Sequence, residues 1–174
     1  MITTGKYPNL RLRRNREHDW IRRLTKENTL SVNDLVQPIF IIEGKNKKIP
    51  ITSMPGVYRY SIDKLNSFVK KIIDLGIPMI ALFPYTERRL KDNHASEALN
   101  ENNLVCKATK LIKKKFGNKI GIMCDVALDP YTSHGHDGIL KSNKIIIDIK
   151  IDILTQQSII QAKAGCDVIA PSYM

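Results

Sequence analysis

The sequence predicts a parallel α/β fold, and three features of the chain support this prediction. Four short apolar runs alternate with three segments that carry one apolar helical face. The apolar runs are continuous rather than alternating, which is typical of strands that are covered on both faces. A dense polar segment, residues 125–138, directly follows the third apolar run. Because functional groups collect where parallel strands end, this segment is expected to be the functional loop.

The first 30 residues are expected to form an N-terminal arm with a short helix, and residues 31–174 the main domain. Residues 1–16 are polar and basic without a periodic pattern. By themselves they cannot bury enough surface to hold a fixed shape. Trp20, Ile21 and Leu24 suggest the short helix, and Ser31 is a candidate N-cap for one further turn.

The main domain begins with a strand candidate at 36–42, and a loop too long to be a simple connection leads from it to Tyr60. Ser61 is a good N-cap for the first large helix, which Gly76 is placed to end. The remaining predicted elements are a strand (77–83), a polar segment (87–102), a helix from Leu104 that Gly117 closes, a strand (119–124), a polar loop to about Lys150, a helix (152–164) and a strand (167–170).

The loop at 125–138 reads DVALDPYTSHGHDG and is the densest group of polar side chains in the sequence. It contains three carboxylates, which belong to Asp125, Asp129 and Asp137, together with two imidazoles and three hydroxyls. Side chains alternate along the preceding strand, so Asp125 shares a face with Met123, while Ile122 points the other way. One carboxylate is therefore predicted to end a strand whose opposite face is apolar.

The charge of the chain raises the question of a nucleic-acid partner. The formal net charge is +11, with arginines crowded between Arg11 and Arg23 and a lysine run at 113–115. However, only 6% of residues are aromatic, and Trp20 alone lies within the arginine-rich segment, whereas a stacking platform requires a series of aromatic side chains. Lysines at the end of a helix are also favoured by the helix dipole. We therefore expect no nucleic-acid partner; steeply salt-dependent binding would be needed to reverse that expectation.

The cysteines and the hydropathy pattern indicate the cellular compartment in which the protein is expected. Cys106, Cys124 and Cys166 are odd in number, far apart and not arranged as a CxxC pair, so reduced and mostly buried thiols are expected. No apolar stretch approaches the length of a membrane span, and the N-terminus lacks the apolar core of a signal peptide. A cytoplasmic protein without a membrane partner is the expectation.

Several motifs together resemble those of the porphobilinogen synthase family, also called delta-aminolevulinic acid dehydratase. They are RLRRN (11–15), LVQPIF (35–40), SMPGVYR (53–59), DVALDPYTSHGHDG (125–138) and AGCDVIAPS (164–172). The resemblance implies a (β/α)8 TIM barrel, of which only about the first four strands are present, with an N-terminal arm that wraps a neighbouring subunit of a homo-oligomer, an octamer in the family. It also implies a lyase that condenses two molecules of 5-aminolevulinate into porphobilinogen on the haem pathway.

Some residues that the family uses are not found in this sequence. The two Schiff-base lysines of the family lie in motifs like SYSAKYAS and VKPG, and neither motif occurs before Met174. Ser172 matches an active-site position, whereas Tyr173 replaces the aspartate that follows it in the family. We therefore interpret the chain as a truncated or partial synthase that is inactive alone. The alternative is a non-catalytic half-barrel that serves as a binding or assembly module.

The resemblance also leads to a prediction about metals. In one branch of the family three cysteines bind a catalytic zinc ion, and they correspond to Ala127, Asp129 and Asp137 here. Alanine cannot ligate, and zinc prefers sulfur and nitrogen donors. The chain is therefore expected to belong to the magnesium-responsive branch without catalytic zinc, with magnesium bound mainly by residues outside this sequence. Asp129 and Asp137 could still ligate a hard cation.

The other polar residues of the loop are expected either to contact the substrate or to hold the shape of the loop. Asp125 matches an active-site aspartate of the family; otherwise its carboxylate would cap the loop by accepting backbone N–H groups. Asp129, Asp137 and Ser172 are expected to surround the substrate. The other polar and glycine residues are expected to hold the shape of the loop, although the histidines could ligate or shuttle protons; these residues are Ser133, His134, Gly135, His136 and Gly138. Tyr85 and Thr86 are placed at the mouth by position alone.

Overall fold

The computed structural model describes residues 5–10, 13–141 and 144–172 and divides the chain into two compact units, Met1–Ser31 and Val32–Met174. The first unit contains a turn of 3-10 helix, Arg14–Arg16, and the short helix α1, Asp19–Leu24. The predicted short helix is thus present. Arg11 of the arm and Tyr173 lie outside the described residues.

The second unit is built on a six-stranded sheet of mostly parallel strands. Its strands are β1 (Val36–Ile42), β2 (Lys48–Pro50), β3 (Tyr58–Ser61), β4 (Met79–Tyr85), β5 (Gly121–Val126) and, last in the chain, β8 (Val168–Pro171). Their spatial order across the sheet is β2-β3-β1-β4-β5-β8. The helices are α2 (Ile62–Asp74), α3 (Leu104–Phe116) and α4 (Ile147–Lys163). Between β5 and α4 lies a short antiparallel pair, β6 (Leu140–Lys141) and β7 (Lys144–Ile145).

The four strands predicted from the apolar runs are β1, β4, β5 and β8. They are neighbours in the sheet and parallel to one another, so their carboxyl ends share one edge. Parallel neighbours joined by α2, α3 and α4 are the arrangement that the strand and helix pattern predicts. The prediction of a parallel α/β fold is confirmed.

Three local predictions differ from the structure. The segment between β1 and Tyr60 is not a plain loop, because it forms β2 and β3, which pair antiparallel beside β1. Ser61 precedes α2, but its hydroxyl bonds the backbone of Lys47 instead of capping the helix. Helix α4 begins at Ile147, five residues before the predicted start at 152, so Lys150 is helical rather than part of the loop.

The main core lies on one face of the sheet. Buried side chains of β1, β4 and β5 meet α2 and α3 there; the cluster comprises Ile39, Ile41, Leu65, Val69, Ile72, Ile80, Leu82, Leu104, Val105, Ala108, Ile112, Ile120, Ile122 and Cys124. The opposite face includes Phe40, Phe83 and Met123, which are only partly buried. The burial of this face is mixed, because Ile42 and Ala81 on it are buried.

Candidate active site

Two of the predicted site residues lie where neighbouring strands end. Asp125 is the last residue but one of β5 and pairs with Ala170 of β8. Ser172 follows the end of β8, and its N–H donates to the carbonyl of Val126 at 3.0 Å. The strand register therefore brings Asp125 and Ser172 to the same edge of the sheet. Asp125 shares the less buried face of β5 with Met123, as the alternation predicts.

The loop after β5 folds back so that Asp137 approaches its beginning. One carboxylate oxygen of Asp137, Oδ1, accepts the N–H of Leu128 at 2.7 Å. The other, Oδ2, lies 3.0 Å from Nζ of Lys150 on α4. Because both oxygens of Asp137 accept hydrogen bonds, this carboxylate connects the end of the loop to its beginning and to α4. It is thus Asp137, rather than Asp125, that caps the loop backbone.

We call Asp125, Asp129 and Asp137 the aspartate cluster, because their charges act on one another. Partial burial, together with the charges of Asp129 and Asp137, raises the pKa of Asp125 to about 6. Partial desolvation and the charge of Asp137 also raise the pKa of Asp129, an effect that Lys91 and Lys150 oppose. The charges of Asp129 and Asp137 thus act on Asp125, and the charge of Asp137 acts on Asp129. A carboxyl with a pKa near 6 can hold or release a proton near neutral pH, which suits acid–base chemistry.

A neighbouring segment supports the loop from the other side. The N–H of Asp92 donates to the carbonyl of Tyr131, and the N–H of Ser133 donates to the carbonyl of Asp92. The hydroxyl of Ser133 also bonds the side chain of Asn93, and Thr132 donates its hydroxyl proton to the carbonyl of His136 at 2.8 Å. Tyr131 is buried. The polar segment after β4 is thus part of the scaffold of the loop.

The two histidines lie side by side at the turn of the loop. Their ring centroids are 5.5 Å apart, and Nδ1 of His134 accepts the N–H of His136 at 3.2 Å. Gly135 between them has φ of +75°, a conformation that favours glycine. Gly138 lies at a bend, where its N–H donates to the carbonyl of His136 at 3.0 Å, and a Cβ there would lie 2.6 Å from Cγ2 of Ile145. Gly135 therefore provides a left-handed backbone position, whereas Gly138 provides a closely packed bend.

An open cleft of about 500 Å³ lies beside the carboxyl ends of β4 and β5. Of the predicted residues, Asp129, Ser133, Tyr85 and Thr86 line it, whereas Asp125, Asp137 and Ser172 do not; Arg88, Lys91, Pro84 and Pro130 complete the lining. Sequence reasoning missed Arg88 and Lys91. Two cations placed three residues apart just after a strand end could have indicated an anion-binding wall.

The loop does not suit a divalent metal ion as it stands. Within the described ranges, no group of three or more His, Cys, Asp or Glu side chains is arranged to hold a metal ion. Ala127 has no donor atom, and both oxygens of Asp137 already bind protein groups. Ligation of a hard cation by Asp129 and Asp137 stays a prediction, and the contacts of Asp137 disfavour it.

Polar side chains of helix α4 form hydrogen bonds with the backbone of the loop and of β5. The amide nitrogens of Gln157 and Gln161 donate to the backbone carbonyls of Ala127 at 3.3 Å and Asp125 at 3.0 Å. Both glutamines are buried, as is Lys150. Consequently, the three buried polar groups of α4 all contact the loop or the end of β5.

No described helix is long and apolar enough to cross a membrane.

Comparison of the sequence with known proteins identifies the family that the chain matches. The family model described as delta-aminolevulinic acid dehydratase matches residues 9–174. A protein of that description from Bradyrhizobium diazoefficiens is 52% identical over 165 residues, which cover 95% of this chain and 46% of the relative. Another, from Methanothermus sociabilis, is 41% identical over 169 residues, covering 97% and 52%.

A solved structure shows the same fold. The delta-aminolevulinic acid dehydratase of Toxoplasma gondii ME49, in complex with the reaction product porphobilinogen, superposes with a TM-score of 0.86 at 37% identity. The match covers 94% of this chain and 46% of that one. The chain therefore spans about half the length of the relatives it matches.

Proposed function

We propose, because the chain belongs to the delta-aminolevulinic acid dehydratase family, that it supplies one part of a hydro-lyase that condenses two molecules of 5-aminolevulinate into porphobilinogen. The observation that carries this proposal is the family match over 165 residues to a relative 52% identical. The aspartate cluster and Ser172 supply polar groups at the strand ends, where such a barrel does its chemistry.

The roles of the residues follow from their placement. Asp125, with a pKa of about 6, is suited to exchange a proton with the substrate amine or with water. Asp129, in the cleft, would orient an ammonium group, and Arg88 and Lys91 would attract a carboxylate such as that of 5-aminolevulinate. Ser172 would add a hydroxyl partner. Asp137 would act through the shape of the loop, because its oxygens are engaged.

The isolated chain is proposed to be inactive. In the family, two lysine amines form Schiff bases with the substrate ketones, and the segments that carry those lysines are not in this sequence. The residues described above can then bind and orient a substrate but supply no covalent partner. Activity would require the rest of the barrel from another polypeptide or from a longer form of this one.

A complementation experiment tests this proposal. The chain is co-expressed with the part of the Bradyrhizobium relative that lies beyond the matched region, and porphobilinogen formation is measured. We expect no product from the chain alone and product from the pair. Asp125→Asn in the pair should lower the rate by about 10²-fold or more, as loss of acid–base catalysis does. Turnover of 5-aminolevulinate by the chain alone would refute the proposed inactivity.

Several properties of the whole enzyme remain proposals for this chain. They are a cytoplasmic location, assembly into a homo-oligomer through the N-terminal arm, and dependence on magnesium, bound mainly outside these residues, rather than on catalytic zinc. The support for the last is chemical: the loop offers oxygen ligands and no cysteine at 127, 129 and 137. Mass spectrometry of the native complementing pair, with and without magnesium, would test assembly and metal dependence together.

A non-catalytic assembly module is the second candidate function. It is favoured by the less buried face of the sheet, where Phe40 and Phe83 lie 5.7 Å apart and are only partly buried. Such a face and a free strand edge would pair with another chain. Sedimentation of the chain alone should then show a dimer or larger species. A stable monomer would count against this candidate.

A further inference from the structure

The aspartate cluster needs a positive charge. Asp137 lies against the beginning of the loop, where its Oδ1 accepts the N–H of Leu128. Partial burial and the charges of Asp129 and Asp137 raise the pKa of Asp125, so these carboxylates repel one another when they are ionised. A site of this kind is stabilised by a bound metal ion or by a cationic side chain. The question is which of the two this chain uses.

Lys150 meets the requirement by its position. Its side chain is only 2% exposed, and its Nζ lies 3.0 Å from Oδ2 of Asp137. Asp137 is itself mostly shielded, with 16% of its side chain exposed. The charge of Lys150 also acts on Asp129. Lys91 also acts on Asp129, but its Nζ lies 3.5 Å from the backbone carbonyl of that residue and forms no ion pair with its carboxylate.

The position of Lys150 in its helix strengthens the argument. It is the fourth residue of α4, where the positive end of the helix dipole disfavours a cation. Burial of an ammonium group disfavours it further. Neither helix preference nor hydrophobic burial therefore accounts for a lysine here. The carboxylate of Asp137 is an attraction that opposes both effects.

We propose that the ammonium group of Lys150 is the resident cation of the aspartate cluster and takes the place that a metal ion would otherwise fill. Lys150 is thus a positioning residue: it holds Asp137, and Asp137 holds the loop through the N–H of Leu128. This inference does not depend on the proposed enzymatic activity, because it concerns the stability and metal affinity of the loop.

The geometry explains why lysine and metal exclude each other. A divalent ion bound to Asp137 would lie about 2.0–2.6 Å from a carboxylate oxygen. It would then share Oδ2 with the ammonium group at 3.0 Å, or compete with the Leu128 N–H for Oδ1. Two cations on one carboxylate repel strongly in a partly buried site. Removal of the ammonium group should therefore open the cluster to a hard cation.

The test uses Lys150→Met, which keeps an unbranched apolar chain and removes the charge. Manganese(II) alone is the probe, because it prefers oxygen ligands and is visible by electron paramagnetic resonance. Lys163→Met is the matched control, since Lys163 is on the same helix but 67% exposed and forms only a surface ion pair with Glu101, at 3.7 Å. The double variant Lys150→Met/Asp137→Asn removes both charges of the buried pair.

We expect Lys150→Met to bind manganese at least about tenfold more tightly than the unmodified chain. Its melting temperature should be lower than that of the unmodified chain and should rise when manganese is added. Lys163→Met should behave like the unmodified chain, and the double variant should show no manganese response. If Lys150→Met is unfolded without metal, manganese should restore the circular dichroism of the folded state.

Two results would overturn the proposal. One is a Lys150→Met variant, folded or unfolded, that shows no gain in manganese affinity and no recovery with manganese. The other is an unmodified chain that binds manganese as tightly as Lys150→Met and loses this binding on Asp137→Asn. The first would mean that the cluster needs no cation, and the second that Lys150 does not occupy the cation position.

Discussion

Asp125 shows how position along a strand sets the chemistry of a single carboxyl group. It is near the end of β5, partly buried and close to two further carboxylates, and its pKa is therefore raised to about 6. An aspartate in an unfolded chain has a pKa of about 3.9. Between these two values the folded state holds more protons at Asp125 than the unfolded state does. The contribution of this group to stability therefore falls as the pH rises through this range.

Asp125→Asn should remove that pH dependence. The variant keeps a neutral side chain of similar size, so its free energy of unfolding relative to the unmodified chain should increase from about pH 4 to about pH 6 and then level off. Urea unfolding of both chains at several pH values measures this difference, in which titrating groups distant from Asp125 cancel. A difference that stays constant over this range would contradict the raised pKa.

Lys150 was not singled out in the sequence, and its signal was weak. The sequence pattern predicts a start of α4 at residue 152 and so leaves Lys150 at the end of the polar loop, whereas the helix begins at Ile147. A lone lysine in the run IIIDIKIDIL is the feature that could have indicated a buried charge. Its partner, 13 residues earlier, could not be deduced from that run.

At the scale of the element, α4 reverses the usual distribution of side chains. Its buried positions include Lys150, Gln157 and Gln161, whereas Ile147 and Ile159 are about half exposed. An amphipathic helix normally buries its apolar side. Here the polar side chains face the loop because they bond its backbone and Asp137. Periodicity could predict that a helix exists, but not which of its faces is buried.

The loop offers a test that separates backbone strain from packing. Gly135→Ala should lower the free energy of unfolding by about 1–3 kcal/mol because of its positive φ, with open space around the new methyl group. Gly138→Ala should cost about 1–3 kcal/mol because its Cβ would meet Ile145 at 2.6 Å. Chemical denaturation of both variants measures these losses.

Ile145→Ala distinguishes the two causes. It should restore part of the stability lost by Gly138→Ala, because it removes the side chain that the new methyl group meets. It should not rescue Gly135→Ala, whose cost comes from backbone conformation. Equal rescue of both variants, or of neither, would show that the two glycines do not act through different causes.

At the scale of the molecule, the two faces of the sheet differ in what covers them. Leu82 and Phe83 are consecutive residues of β4 and point to opposite faces. Leu82 is fully buried beneath the helices, whereas Phe83 is partly exposed and contacts Phe40. In a closed barrel the face that carries Phe83 would be interior. This explains why strands that are apolar on both sides have one less buried face here.

The difference between the faces predicts different costs for adjacent truncations. Leu82→Ala should lower the free energy of unfolding of the chain by about 2–5 kcal/mol, as loss of a buried side chain does. Phe83→Ala should cost clearly less than the roughly 3–5 kcal/mol typical of a phenylalanine within a closed core. Urea unfolding of the chain alone measures both values. Equal, large losses would indicate that the Phe83 face is covered, for example by self-association.

The sequence by itself determined the parallel α/β fold, the four principal strands, the helices between them and the position of the polar loop at a strand end. These depend on local periodicity and on short patterns such as DVALDPYTSHGHDG, which neighbouring residues define. The tertiary structure decided the pairing of β2 and β3, the buried polar side of α4, the Arg88 and Lys91 wall of the cleft and the Lys150–Asp137 ion pair. Each of these joins residues from separate segments, and such contacts depend on how the elements pack rather than on the residues beside them in the chain.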